Sequence, residues 1–137
     1  MKVGLGSVHR WWALPKGRWI IPCDTFGNES SSGRPIGEFQ GGQFQLAAEL
    51  EASRLLVYNA VQLRDGGEDF LVPAAMAKLH SSRMAQKVTS LCIDLYGGYG
   101  FTREYPVEKF YRDSKIGTIY EGTTNMQLQT IAKMLLG

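Results

Sequence analysis

The stretch LAAELEASRLLVYNAVQLRDGG, residues 46–67, decides the fold because it contains a long amphipathic helix together with its end. Its large apolar residues recur at intervals of four, seven and four, which is the spacing of one helical face. These residues are Leu46, Leu50, Val57 and Val61. Charged side chains between them can face water or a partner. Asp65-Gly66-Gly67 predicts the end of the helix, since glycine readily adopts the backbone conformation that follows a last helical turn.

Three further helices are predicted downstream of this one. Pro73, whose fixed φ suits a first helical turn, opens a second apolar stripe that runs to Leu95. Gly97-Gly98-Tyr99-Gly100 ends that helix, a short third helix begins near Pro106, and the fourth begins just after Glu121-Gly122. No stretch alternates apolar and polar residues for long enough to predict a sheet. The predicted fold class is therefore all-α, an antiparallel four-helix bundle with two long and two short helices.

Residues 1–33 differ from the rest of the chain, because prolines and glycines interrupt every helical period there. Asn28–Gly33 is typical of a linker, and we predict that the whole segment is irregular or disordered. Basic residues without an acid before Asp24 are a weak feature of a mitochondrial transit peptide. Trp11 and Trp12, with nearby prolines, interrupt any amphipathic helix that such a peptide would need.

The composition limits the classes of function. Apolar residues make up 44% of the 137 residues, and 15 Lys and Arg against 13 Asp and Glu leave a net charge of +2. This balance favours neither nucleic acid nor an anionic membrane as a partner, and no apolar run is long enough to span a bilayer. Cys23 and Cys92 lie far apart without a CxxC pair, which argues against a disulfide framework or a zinc site and indicates a reducing compartment. Cys92 is expected to be a small buried core residue.

The segment IGTIYEGTTN, residues 116–125, carries the strongest candidate for chemistry. Glu121 stands between apolar side chains and Gly122, directly before a helix for which Thr123 or Thr124 is the expected N-cap. A carboxylate that apolar side chains shield from water becomes a stronger base, which suits general base catalysis. Gly122 would let a ligand approach the backbone closely. From the spacing alone, a contact with the helix dipole or a solvated turn is the more common explanation.

Other candidates are weaker. Gly97-Gly98-Tyr99-Gly100 lacks the preceding strand and following helix of a nucleotide-binding loop, so a turn between helices is the simpler interpretation. Phe39–Phe44, which includes Gln40, opens the first long helix and could bind an anion, although an ordinary polar first turn is the favoured interpretation. Arg112-Asp113 is expected to be a structural ion pair or part of a solvated face. His80 lies among polar helix positions without predicted partners for catalysis or metal binding.

Three motifs taken together resemble the C-terminal signature of acyl-CoA dehydrogenases. They are YPVEK at 105–109, RDSKIG at 112–117 and IYEGT at 119–123, in the order and spacing of that family. The resemblance covers about residues 34–137 and implies the family's C-terminal helical domain, whereas residues 1–33 resemble nothing in the family. The ending TNMQLQTIAK, residues 124–133, is most similar to the short/branched-chain type.

The resemblance implies a reaction and its site residues. Glu121 would remove the α-proton of an acyl-CoA thioester while a hydride leaves the β-carbon for the flavin of FAD, giving a trans-2-enoyl-CoA. Gly122 would contact the substrate. At the start of the last helix, the residues assigned to FAD are Thr123, Thr124 and Asn125. The residues assigned to the FAD of a neighbouring subunit are Gln40, Asp94, Leu95, Tyr96, Gly97 and Gly98.

The same resemblance implies partners and a location. Electrons would pass to electron-transfer flavoprotein, and intact members assemble as homo-oligomers, namely tetramers. No metal is implied. We expect the mitochondrial matrix for a eukaryotic source and the cytoplasm for a bacterial one.

The sequence departs from the family pattern at Ser30-Ser31-Ser32-Gly33, where the family usually has an Arg-x-x-Phe-Gly segment whose arginine binds the FAD pyrophosphate of the partner. The family's N-terminal helical domain and middle β-domain have no counterpart in the sequence. We therefore expect a truncated, alternatively spliced or mispredicted product that is inactive alone. The main alternative is a non-catalytic helical oligomerisation module derived from the family. A related acyl-CoA oxidase is disfavoured by the compact ending.

Overall fold

The computed structural model describes residues 30–31, 34–35 and 40–137, with side chains from Ala47 onward. Before the helices, β1 (Ser30–Ser31) pairs antiparallel with β2 (Arg34–Pro35). Apart from β1, the segment 1–33 lies outside the described residues. The prediction that this segment is irregular concerns residues that the structure does not describe. The side chains of Gln40 and Leu46 lie outside them as well.

Four α-helices follow this strand pair. They are α1 (Gln40–Asp65), α2 (Leu71–Tyr96), α3 (Val107–Lys115) and α4 (Thr124–Leu136). The predicted all-α fold with two long and two short helices is confirmed. Pro73 lies in the first turn of α2, where its missing N–H leaves no helical hydrogen bond unmade. None of the helices within residues 40–137 combines the length and the apolarity that crossing a bilayer requires.

α2 is the central helix, because α1, α3 and α4 all pack against it. The antiparallel register of α1 and α2 is fixed by polar contacts between their middles. The buried hydroxyl of Ser53 lies 2.9 Å from Nδ1 of His80, and Nζ of Lys87 lies 2.5 Å from a carboxylate oxygen of Glu49. The Lys87 ammonium lowers the pKa of the Glu49 carboxyl below its usual value. His80 therefore has a structural role between the two long helices.

Small side chains form the contact between α1 and α2. Ala60, Ala74 and Ala77 are completely buried, and Val57 is 6% exposed in the same cluster. Val57 was predicted from the apolar stripe, whereas Ala60 was not, because the pattern of large apolar residues gives alanines little weight. Small residues at a helix crossing bring the two backbones close together, so each helix buries its neighbour along its length.

A second cluster joins the end of α2 to α3. Cys92, Tyr96 and Val107 are buried together, which confirms Cys92 as a core residue. The ring of Tyr105 lies 5.7 Å from that of Tyr96, in a tilted arrangement that aromatic pairs prefer. The buried hydroxyl of Ser114 on α3 lies 3.0 Å from that of Thr89 on α2, and this contact fixes the position of α3.

The surface of α3 decides between the two interpretations of Arg112-Asp113. The two residues do not form an ion pair with each other and belong to a solvated face, where their side chains are 61% and 45% exposed. Arg112 lies 3.5 Å from Glu108, and Asp113 lies 2.6 Å from Lys109, both at helical i, i+4 spacing. Adjacent residues point to different faces of a helix, so the two charges instead pair with residues one turn earlier.

The turn between α2 and α3 needs a glycine at one position. Gly100 is buried, and its N–H donates to the carbonyl of Gly97 at 3.0 Å. A Cβ at Gly100 would lie 2.4 Å from the carbonyl oxygen of Ile93. Around Gly98, by contrast, a Cβ would meet no atom within 4 Å.

We expect Gly100→Ala to lower the free energy of unfolding by about 1–3 kcal/mol, the usual cost of overpacking. The matched control Gly98→Ala should change it by less than about 0.5 kcal/mol, as an unconstrained surface substitution does. Urea denaturation of the two variants measures both values. Equal effects would show that the turn does not approach Ile93 as described.

Candidate functional site

The loop before α4 has an unusual backbone conformation. Glu121 has φ 54° and Gly122 has φ 92°, so two successive residues are left-handed. Among the described residues, Glu121 is the one non-glycine residue with a positive φ. A left-handed L-residue costs roughly 1–2 kcal/mol, and glutamate lacks the short side chain with which asparagine relieves this cost. Other parts of the fold must therefore hold the loop in place.

Three hydrogen bonds converge on the carbonyls of these two residues. Nε2 of Gln127 on α4 lies 3.2 Å from the carbonyl oxygen of Glu121 and 3.2 Å from that of Gly122. Nζ of Lys78 on α2 donates to the carbonyl of Gly122 at 2.5 Å. A neutral hydrogen bond contributes about 0.5–1.5 kcal/mol and one from a charged donor about 1.5–3 kcal/mol, so together they outweigh the strain at Glu121.

Lys78 is the site residue that sequence reasoning missed. Its spacing places it off the large apolar stripe of α2, yet it is only 6% exposed, and its neighbours Ala75 and Ala77 are fully buried. Burial lowers the pKa of its ammonium, and the charge of Glu121 opposes that shift in part. The sequence feature that could have indicated the burial of Lys78 is the group of three alanines before it, Ala74, Ala75 and Ala77. Small residues of this kind predict close packing around the aliphatic part of the lysine side chain.

The start of α4 is capped as predicted. Thr123 is the N-cap, and its hydroxyl oxygen accepts from the N–H of Met126 at 3.4 Å. The Thr123 carbonyl accepts from the N–H of Gln127 at 3.0 Å. In a helix the N–H groups of the first residues have no carbonyl one turn earlier, so those of Thr124 and Asn125 are available to a ligand.

The carboxylate of Glu121 is exposed, and no described residue covers it. Ile119 and Met126, on either side of the turn in sequence, are also exposed, at 51% and 41%. The sequence predicted a carboxylate buried among apolar neighbours. The structure has the apolar neighbours but leaves the carboxylate in the open, because burial requires a covering surface that the described helices do not supply.

The residues that the family resemblance assigns to FAD fall into two separate groups. Thr123, Thr124 and Asn125 lie beside Glu121, near the start of α2. Asp94–Gly98 lies at the other end of α2, and the antiparallel register places the start of α1, with Gln40, beside it. Nineteen residues of α2 separate Lys78 from Gly97, which is about 28 Å at the helical rise. One small contact area cannot include both groups.

The second group leaves backbone accessible. A Cβ at Gly97 or Gly98 would meet no atom within 4 Å, and both glycines are exposed. Gly97 has φ 55°, which favours glycine. Asp94 is exposed, whereas the ring of Tyr96 is buried against Tyr105, so only the backbone of Tyr96 can meet a ligand here. Within residues 40–137, no three His, Cys, Asp or Glu side chains lie close enough together to hold a metal ion.

Residues 25–136 match the family described as acyl-CoA dehydrogenase, C-terminal domain. This match begins nine residues before residue 34, the predicted start of the domain. The boundary between residues 1–33 and 34–137 remains a prediction. A probable short/branched chain specific acyl-CoA dehydrogenase from Dictyostelium discoideum is 57% identical over 107 residues, which are 76% of this chain and 26% of that protein. The mitochondrial short/branched chain specific acyl-CoA dehydrogenase from Bos taurus is 54% identical over 106 residues, 75% of this chain and 24% of that protein.

A solved structure shows the same arrangement of helices. Butyryl-CoA dehydrogenase from Megasphaera elsdenii superposes with a TM-score of 0.74 at 39% identity, covering 84% of this chain and 31% of that one. The chain thus spans about a quarter of the length of the curated relatives it matches, 26% and 24% for the two proteins above.

We expect Gly122→Ala to destabilise the chain more than Gly67→Ala. Both glycines have positive φ, at 92° and 74°, but a Cβ at Gly122 would lie 2.7 Å from Nε2 of Gln127, whereas one at Gly67 meets nothing within 4 Å. Strain alone costs roughly 1–2 kcal/mol at either glycine, and displacing the Gln127 amide would also cost its two hydrogen bonds, about 0.5–1.5 kcal/mol each. Urea denaturation gives both values, and equal losses would contradict the contact with Gln127.

The buried lysine predicts a pH dependence of stability. Its folded-state pKa lies below the ordinary value of 10.5, so the unfolded chain binds the proton more tightly. Raising the pH through the folded-state value towards 10.5 therefore increases the free energy of unfolding. We expect the stability of the wild type relative to Lys78→Met to rise over this window. A difference that is flat with pH, measured by urea denaturation, would contradict the burial of the charged form.

Proposed function

The chain belongs to the acyl-CoA dehydrogenase family, whose C-terminal domain it contains, and we propose that it supplies the catalytic base of a short or branched-chain acyl-CoA dehydrogenase. The base is Glu121. The observation that carries this proposal is the left-handed turn at Glu121 and Gly122, which three hydrogen bonds hold in place while the carboxylate stays exposed. A turn that only contacts solvent does not require a strained backbone. Strained residues instead cluster at functional sites, which supports a functional role for Glu121.

The chemistry follows from what a carboxylate in this position can do. Glu121 takes the α-proton of the acyl-CoA thioester, and the electron pair of that C–H bond forms the new double bond as a hydride leaves the β-carbon. The product is a trans-2-enoyl-CoA. A thioester α-proton is a weak acid, so the base needs a dry surrounding in which its hydration is lost. Once covered, the exposed side chains of Ile119 and Met126 would exclude water around it.

Members of the family are flavoproteins, and FAD is the proposed cofactor of this chain. The free N–H groups of Thr124 and Asn125, at the positive end of α4, suit a phosphate or the polar part of a nucleotide. FAD bound there would accept the hydride. Gly122, next to the base, has its carbonyl turned towards Lys78, and we assign it to the substrate contact.

The second group supports the proposal that the functional unit is a homo-oligomer, a tetramer as in intact members. Asp94–Gly98 lies about 24–30 Å from Lys78 by the rise of α2, and Gln40 lies at that same end, so these residues fit the FAD of a neighbouring subunit and not the one beside Glu121. Open space beside Gly97 and Gly98 would admit such a ligand.

The proposed partners are an acyl-CoA substrate and electron-transfer flavoprotein, which would receive the electrons. Relatives in Bos taurus and Rattus norvegicus are mitochondrial, so the mitochondrial matrix is the proposed location for a eukaryotic source and the cytoplasm for a bacterial one. The proposed domain is residues 34–137, preceded by an irregular segment 1–33.

A second candidate is a non-catalytic helical module that pairs with intact subunits. Exposed large apolar side chains favour it, because unpaired apolar surface drives association. The most exposed of them are Leu136 at 84%, Phe101 at 74% and Leu135 at 63%. Absorbance of the purified chain separates the two: a flavin spectrum supports the enzyme, and a colourless monomer or aggregate supports the module.

The base assignment is tested in a chimera in which residues 34–137 replace the matching part of the Bos taurus relative. Glu121→Gln should slow flavin reduction by 2-methylbutanoyl-CoA at least ~10²–10⁴-fold, the usual contribution of a positioned acid–base group. Substrate binding should persist, because the amide keeps the shape of the carboxylate.

The control for this experiment is Glu104→Gln, which neutralises another exposed carboxylate in the turn between α2 and α3. It should leave the rate of flavin reduction unchanged. If Glu121→Gln keeps the rate of the unmodified chimera, Glu121 is not the base.

A further inference from the structure

Lys78 and Gln127 both hydrogen-bond the backbone of the Glu121 turn. Given the proposed function of Glu121, we propose that Lys78 and Gln127 are its positioning residues: they hold its backbone in the left-handed conformation, and Lys78 places a buried ammonium at the carbonyl of the next residue. Nothing in the family resemblance assigns a role to either side chain. They act through Glu121 and do not contact the substrate themselves.

The first argument is the location of the two donors. Lys78 and Gln127 are each 6% exposed, and they reach the turn from two different helices. A buried charged group and a buried amide are costly unless they are hydrogen-bonded. Among the described residues, Lys78 donates to the carbonyl of Gly122, and Gln127 donates to the carbonyls of Glu121 and Gly122. Their burial is therefore linked to the conformation of this turn.

The second argument is the direction of the carbonyls. In two successive left-handed residues the carbonyls turn away from the path of an ordinary helix start, and here both face buried donors. When hydrogen bonds fix the orientation of these carbonyls, the backbone of Glu121 is fixed as well. The Cα–Cβ bond of Glu121 then has one direction, from which the side chain extends. Fixing a base against its substrate contributes to rate through orientation.

The third argument is charge. Lys78 donates to the carbonyl of Gly122, the residue after the base, and its ammonium is removed from bulk water. The charge of Glu121 opposes the lowering of the Lys78 pKa that burial causes, so the two groups interact electrostatically.

The backbone part of the proposal is tested by NMR on the full 137-residue chain. A residue with positive φ gives a strong NOE between its own amide proton and its α-proton. Lys78→Met keeps an unbranched side chain of similar length without the donor, and we expect it to weaken this NOE at Glu121. The matched control is Lys87→Met, which removes an exposed lysine of the same helix and should leave the NOE intact.

A second measurement leaves the buried side chain of Lys78 unchanged. The inference can therefore still be tested if Lys78→Met does not fold. The pKa of the Lys78 ammonium is followed in the wild type by its side-chain resonances. Glu121→Gln should lower this pKa further, because it removes the charge that opposes the effect of burial. Glu104→Gln should not change it. A lysine that only fills space would show no response to either substitution.

The inference fails if the NOE at Glu121 survives in Lys78→Met, or if Glu121→Gln leaves the pKa of Lys78 unchanged. Neither measurement needs flavin or substrate, so its result is independent of the proposed function. In the chimera, Lys78→Met should lower kcat by about 10²-fold with little change in KM, as misplacement of a reacting group does. A chimera in which Glu121→Gln has no effect would refute the proposed function and leave the NMR results standing.

Discussion

The hydrogen bond from the Lys78 ammonium to the carbonyl of Gly122 joins the central helix to the loop that presents Glu121. The loop cannot keep its conformation alone, since two consecutive left-handed residues, one of them not glycine, are strained. A charged donor withdrawn from water forms a stronger bond than one in water, because the surroundings screen it less. The position of the carboxylate therefore depends on the position of α2.

α2 can fix the position of the Glu121 loop because α2 is itself held by contacts with the other helices. Alanines let α1 approach it closely, the contact of Ser53 with His80 fixes the register, and the contact of Thr89 with Ser114 fixes α3. Its length also separates the two proposed sites. The proposed base lies near its first turns and the exposed glycine turn at its other end, about 28 Å away by the helical rise, so one helix would relate two proposed ligand sites.

The exposure of Glu121 and of its apolar neighbours has a single physical origin. The proposed base for a thioester α-proton needs apolar surroundings, and the exposed side chains of Ile119 and Met126, close to Glu121 in sequence, would contribute to them. Apolar side chains that surround a substrate are exposed until the opposing surface is present. The chain spans about a quarter of the length of its curated relatives, 26% and 24% for two of them, so it carries one wall of the proposed site.

The four helices, the glycines that end the first two of them and the family could be predicted from the sequence. Helical spacing, glycine and proline are local signals, and Thr123 or Thr124 as N-cap and Cys92 as a core residue follow from positions near in sequence. Only the tertiary structure shows that Lys78 is buried and that Gln127 meets the carbonyl of Glu121. These facts depend on which helices meet and in what register, and they join residues far apart in the chain. A periodic pattern indicates which face of a helix is apolar, but not which polar side chain on its border becomes enclosed by a neighbouring loop.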